Sequence, residues 1–530
     1  MTKLPILILL ALRACVYAAA PQQLRFAIQD DPKTFDVLMV AETNSETIRF
    51  LTAGSLVRVN RATDVVQPEL AESWVVKEGG RAITFHLRSG LKFSDGTPLT
   101  TADVARTLKR ALDPKAGSPT GDTFRAGDAA PDVTVAGPLD ITIRYKAPKP
   151  GLDRLFDSLG IAPPVQAKLP ASSGAFFVAE YQPGSHVLLR RNPHYFKRDS
   201  KGQQLPYLDS IRVDIQQNHD IEIARFSRGE LHLINKIDAD AFDRLQKEKP
   251  GVVRSMGASL DAEFLWFNHA PAKTVPEWKA AWFTSAAFRH AVSSAIRRED
   301  MARIVFRGHA HPAVGPISTA NHFWVNAALK PPAADIQASL RQFASEGFNL
   351  RDGVLRDKAG HTVEFSLVTQ AGNRPRERMA SLVADDLKRV GIKVNVVTLD
   401  FRSMLERISK SFDYEAALLG FGNVEVDPME EMNFWLSSSA QHPWRPSQKT
   451  PATPWEARID QLELQQASDA SRAARKKAVD EIQQIVRAQE PLIYLLNPDY
   501  LMALSPALKG VQPAVAPPQI LWNAEWLRLE

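Results

Sequence analysis

The chain holds one cysteine in 530 residues, Cys15, and it stands in the N-terminal stretch. With no second thiol there is no disulfide framework, so stability has to come from core burial. No apolar run approaches the roughly 20 residues that a membrane-spanning helix needs. Neither sign of charge dominates: 65 Lys and Arg stand against 60 Asp and Glu, with no basic run. That balance leaves no footprint for nucleic acid or a membrane surface. Internal repeats and low-complexity segments are missing too. So are the signatures H-E-x-x-H, G-x-S-x-G and G-x-x-x-x-G-K-[ST], while Gly420-Phe421-Gly422 lacks the third glycine of a dinucleotide-binding turn. No enzyme chemistry and no cofactor are expected.

What is present begins with an export signal. Lys3 precedes an apolar run, Leu4 to Leu12, and small residues continue through Ala20, a pattern similar to a secretory signal peptide over residues 1–20. Two cleavage readings stay open. Val16-Tyr17-Ala18 fits a small-residue peptidase site, and Leu12-Arg13-Ala14-Cys15 resembles a lipoprotein box that would lipidate Cys15. The 36 prolines suit a loop-rich secreted protein.

The stretch from Pro68 to Arg110 organises the rest. Ile83, Phe85 and Leu87 alternate with polar residues, the period of a half-buried strand. Leu91 and Phe93 resume the alternation, Asp95-Gly96 makes a turn, and Thr100 with Asp103 forms a capping box for a helix over Val104, Leu108 and Leu112. A strand through Ile141, Ile143 and Tyr145 joins this unit. From Thr362 to Gly422 the pattern is strand, helix, strand, helix, strand, a βαβ arrangement that favours parallel pairing. Helices follow at about 455–467 and 469–489, the second with Ala474, Ala478, Ile482 and Ile485 on its apolar face, and "PLIYLL" reads as a buried strand.

The order "LAESW", then "ITFHLRSGLKFSDGTPLTTADV", closely resembles the signature of family 5 extracytoplasmic solute-binding proteins, the peptide- and nickel-type receptors of ABC importers. Further segments agree: the hairpin Pro183-Gly184 followed by Arg191-Asn192-Pro193-His194-Tyr195, then "FLWFNHA", and "LVADDLKRVGIKVNVVTLD". Ser172-Ser173-Gly174-Ala175 departs from the family's usual turn, which implies altered turn geometry with the fold kept. The resemblance implies an α/β, two-lobed periplasmic-binding-protein-like fold of type II, in the large peptide-binder class, with an extra subdomain in the first lobe. The implied first lobe covers 21–270 and 491–530, including the subdomain at about 51–165, and the second covers 271–490. It implies a monomeric receptor outside the cytoplasmic membrane that hands a peptide-like or other small solute to permease subunits, with the ATPase on separate chains. A secreted sensor or catalyst on the same fold is the alternative.

The resemblance also implies site residues. Phe35-Asp36 match part of a loop at the mouth of the family's cleft. Peptide-binding relatives carry a carboxylate four residues before the proline of an Asp/Glu-Pro pair, where it meets the ligand's α-ammonium. Here Asp427-Pro428 is present, but that position is Val424, and Glu425 beside it points to the other face of a strand. Leu418 stands where oligopeptide binders carry an arginine. Recognition of a free amino terminus is therefore not expected. Phe421, Asn423 and Trp435 are pocket-wall candidates, or core residues. His309 and His311 share one side of an extended segment and are weak metal candidates, since no carboxylate or third histidine follows at ligand spacing. His232, where the family often has aspartate, reads as a surface or packing residue.

Overall fold

The structure, a computed structural model, describes residues 22–125, 130–165, 167–422 and 426–530. Residues 1–20, with Cys15 and both cleavage readings, lie outside the described residues, as do Asn423, Val424 and Glu425. No described helix is long and apolar enough to cross a membrane.

The chain folds into two α/β lobes. In the first, Gln23–Ile28 runs parallel to Ser210–Ile215, which pairs antiparallel with His186–Arg191 and so with Phe176–Gln182. Alternate residues of these strands, Leu24, Phe26, Val187, Leu189, Ile211 and Val213, face one core. His232 serves as an acceptor here: the Arg25 N–H donates to its Nδ1 at 2.9 Å, and burial holds the imidazole below its usual pKa.

The expected subdomain is a four-stranded antiparallel sheet, Ala71–Lys77, Ala82–Leu87, Asp140–Arg144 and Asp132–Val135, under the helix Thr101–Leu112. Ile83, Phe85 and Leu87 are buried as the alternation requires. The Asp103 carboxylate accepts the Thr100 N–H at 2.8 Å, which closes the start of the helix. Gly96 has φ +87, its N–H reaches the Phe93 carbonyl, and Asp95 accepts from the Thr97 N–H and hydroxyl at 2.9 and 2.7 Å. The divergent Ser172–Gly174 turn is a buried knot. Ser173 donates to the Ile161 carbonyl at 2.9 Å and accepts the Gly54 N–H at 3.0 Å, and the Asn192 amide donates to the Gly174 carbonyl at 2.9 Å. A side chain at Gly174 would collide with the Thr52 backbone at 2.6 Å.

The second lobe contains the expected βαβ unit. Glu364–Gln370 pairs parallel with Lys393–Leu399 across the helix Arg374–Lys388, and parallel with Ala416–Phe421. Ala262–Phe267 lies beside Ala416–Phe421, and next comes the 13-residue strand Leu492–Leu504. The early part of that strand pairs with Ala262–Phe267. Its later part pairs with Val253–Ala258 and Leu233–Ile234 on the first-lobe side. Two extended segments, about 253–267 and 492–504, thus run from one lobe into the other, a connection suited to hinge closure.

Two buried arginines anchor the start of the second of these segments. Arg289 donates to the carbonyls of Glu490, Phe283 and Gln489 at 2.9, 2.7 and 2.6 Å. Arg298 donates to the Tyr494 and Ser293 carbonyls at 2.8 and 3.0 Å and to the Ser293 hydroxyl at 2.9 Å. Burial lowers both guanidiniums to about 10. They satisfy carbonyls that the end of the helix Arg472–Gln489 and the start of the crossing strand would otherwise leave unpaired.

Candidate solute site in the cleft

Two cavities lie where the lobes face each other. One, of about 450 Å³, is walled by the loop 59–64, the crossing segment at Met256–Leu260, the loop 319–323, Arg472 and the segment 513–516. The other, of about 390 Å³, opens between the subdomain and the segment at Asp427–Met432. Val59 and Arg61 belong to both walls. Cavities of this size suit a small solute or short peptide.

The loop 60–64 is built by its own sequence. Asn60 Oδ1 accepts the N–H groups of Ala62 and Thr63, both at 3.0 Å, an Asx turn. The Asp64 N–H returns to the Asn60 carbonyl at 2.8 Å, with Asp64 at φ +58. The turn presents the Asp64 carboxylate to two guanidiniums, Arg154 at 2.5 Å and Arg472 from the opposite lobe. Arg472 opens a helix capped by Ser471, whose hydroxyl accepts the Ala474 N–H. Its guanidinium lies 3.8 Å over the Phe323 ring. Arg61 donates to Asp157 at 2.8 Å, a carboxylate it shares with Arg58 at 3.7 Å, and the Arg61 Nε is buried without an acceptor.

The loop under Phe323 is fixed from behind. Trp324 is buried, the Asn321 amide donates to the Val426 carbonyl at 2.7 Å, and the Gln483 amide donates to the Trp324 carbonyl at 2.9 Å. Arg475 sits over Trp324 and holds Asp427 through both guanidinium nitrogens. Nearby are two carboxyls with few donors among the described residues. Burial pushes Glu431 up to about 8, against a hydrogen bond with Trp435, and pushes Glu463 up to about 7 against a bond from Gln466.

Of the residues the sequence pointed to, Asp427 lines the second cavity, paired with Arg475. Phe421 ends its strand, two-fifths exposed, with its ring 5.1 Å from Phe434. Trp435 is packed in the second-lobe core beside Trp444 and is absent from both cavity walls. Phe35 packs edge-on against Tyr181 at 5.1 Å, and Asp36 pairs with Arg110 and caps the Leu38 N–H, so both brace their loop. Leu418 is core. His309 and His311 turn to different carboxylates, Asp243 at 3.1 Å and Asp499 at 3.0 Å, and no group of three potential ligands gathers among the described residues. Sequence reading missed Arg61, Asp64, Phe323 and Arg472. Asp64 and Arg472 stand 408 residues apart, so no local motif joins them. The available signals were an Asx-type turn at Asn60 and a cation in a helix's first turn, where the dipole disfavours it.

Comparison with known proteins places this geometry. The model of the bacterial extracellular solute-binding proteins, family 5 (middle), matches residues 65–443. A probable ABC transporter-binding protein of Deinococcus radiodurans is 26% identical over 387 residues, 67% of this chain and 65% of that protein. The oligopeptide-binding protein AppA of Bacillus subtilis is 24% identical over 525 residues, 94% of this chain and 90% of that one. Among solved structures, NikA of Brucella suis in complex with Fe(III)-EDTA superposes with a TM-score of 0.80 at 21% identity, covering 96% of this chain and all of that one.

Proposed function

Because the chain belongs to family 5 of the bacterial extracellular solute-binding proteins and acts as the substrate-binding protein of an ABC-type importer, we propose that its solute sits in the interlobe cleft and is recognised without an ion pair to a free α-ammonium. One observation supports this reading: among the described residues, every carboxylate on the two cavity walls already faces an arginine. Glu46 pairs with Arg49, Asp64 with Arg154 and Arg472, Asp157 with Arg61, and Asp427 with Arg475. An incoming ammonium would have to displace a guanidinium from a carboxylate that it already neutralises. Val424, where peptide-binding relatives have a carboxylate, points the same way.

The test is a thermal-shift titration with matched peptides, free and N-acetylated. Binding to the folded state raises apparent stability by about 2.7 kcal/mol at 100 times the dissociation constant. Equal affinity within each pair is expected. Free peptides binding about tenfold better, some 1.4 kcal/mol, would overturn the reading and point to Glu425 or Asp427.

We also propose a lobe boundary near 258–262 and 497–499, a reading supported by the change of sheet partners along the two crossing segments. The protein works outside the cytoplasmic membrane as a monomer, binding no nucleic acid, and delivers its solute to permease subunits whose ATPase is on other chains. Cleavage after Ala18 leaves it soluble, whereas the Cys15 box anchors it. Labelling cells with a palmitate analogue separates the two, since only the anchored form takes the label.

A further inference from the structure

Taking the cleft as the solute site, we propose that the solute carries an anionic group, a carboxylate or a phosphate, which joins the Arg154–Asp64–Arg472 bridge where the lobes meet. One carboxylate there faces two guanidiniums, one from each lobe. The imbalance is not made good on the adjoining wall. Arg61, part of both cavities, has Asp157 as its one carboxylate partner among the described residues and shares it with Arg58. The carboxylates Glu69 and Glu525, beside Arg58, are held by Lys197. Glu46 and Asp427 each have their own arginine. Of these two groups with one carboxylate for two guanidiniums, Arg154–Asp64–Arg472 is the one that bridges the lobes.

Arg472 is placed for such a role. It lies 3.8 Å over the Phe323 ring and donates to Asp64, its one hydrogen-bond partner for the guanidinium among the described residues. It stands in the first turn of its helix, where a positive charge opposes the dipole. An anion arriving beside Asp64 meets two fixed guanidiniums partly shielded from water, where charge-assisted bonds are strong. Because those guanidiniums belong to different lobes, the anion binds the closed arrangement better than an open one and shifts the population towards it.

The experiment uses the full mature chain and three N-acetylated probes: trialanine as its free acid, trialanine as its C-terminal amide, and the same amide with O-phosphoserine at the central position. Affinities are measured by calorimetry for the wild type, Arg472→Gln, Arg472→Lys and Arg154→Gln, with melting temperatures taken in parallel. At least one anionic probe is expected to bind about tenfold tighter than the neutral amide. That preference is largely lost in Arg472→Gln at an unchanged melting temperature and partly restored in Arg472→Lys. The free acid and the phosphorylated amide show which anion the bridge prefers. The proposal is overturned if the neutral amide binds as tightly as both anions, or if neither anion binds at millimolar concentration. It is also overturned if the preference survives in both Arg472→Gln and Arg154→Gln, which would place the site outside the cleft. All three probes lack a free amino group, so a preference for free over acetylated peptides would count against the amino-terminal reading alone.

Discussion

Arg298 and Arg472 are the same side chain in two settings. Arg298 is 1% exposed, and its guanidinium is used up on the Tyr494 and Ser293 carbonyls and the Ser293 hydroxyl. Arg472 is 43% exposed and spends one nitrogen on Asp64 across the cleft. The first keeps a helix end and a crossing strand in register. The second has donors left for something that is not part of the chain. A buried polar group whose bonds are all made belongs to the fold, and a partly used one at a lobe junction is available to a ligand.

The carboxylates of the helix Pro454–Ser468 repeat the contrast. Glu456 is buried, which alone would raise its pKa, yet bonds with His442, Trp444, Gln448 and Thr453 bring it down to about 2. Glu463, two turns on, is hydrogen-bonded among the described residues by Gln466 alone, with the Arg475 charge as a lesser help, and burial wins, as it does at Glu431.

The largest expected effect comes from breaking the satisfied member. Arg298→Met strands the buried carbonyls of Tyr494, in the crossing strand, and Ser293, at a helix end, and should cost at least about 3 kcal/mol in urea denaturation. A loss no greater than that of Arg472→Gln would erase the distinction between the two arginines. Next is the pH dependence of the poorly paired carboxyls. Between the ordinary carboxyl range and about 7 to 8, folded Glu463 and Glu431 hold protons that the unfolded chain releases. Stability therefore falls as pH rises through that window. Glu463→Gln should flatten the fall between pH 5 and pH 8 by an amount on the order of 2 kcal/mol. An unchanged slope in thermal melts would mean that Glu463 is better paired than its one bond suggests. Third, Gly96→Val places a branched side chain at φ +87 and should cost about 1–2 kcal/mol. An unaltered melting point would contradict the turn.

Much of the fold was legible in the sequence because its signals are local. The Thr100–Asp103 capping box, the Gly96 turn and the parallel pairing of Glu364–Gln370 with Lys393–Leu399 follow from periods and caps within a few residues. The helix Arg472–Gln489 shows where locality fails. Its expected face was Ala474, Ala478, Ile482 and Ile485, but the buried face is Arg475, Ala478, Val479, Ile482, Gln483 and Val486. Arg475 and Gln483 turn inward because Asp427 and the Trp324 carbonyl wait there, partners that no hydrophobic period reveals. The site was less legible for the same reason. Asp427 lines a cavity, yet Asp36 braces a loop and Trp435 fills the core, while the bridge of Asp64 with Arg154 and Arg472 joins positions distant in the chain.

The smallest expected effect on the fold is also the most direct test. For Arg472→Gln, melting temperature and affinity for an acidic N-acetylated peptide are measured on the same preparation. A partly exposed ion pair contributes on the order of 1 kcal/mol or less, so the melting temperature should stay within about 2 °C of the wild type, while affinity falls by about tenfold. A melting temperature that drops while affinity is unchanged would make Arg472 a structural residue and contradict the assignment of the cleft arginines to the solute.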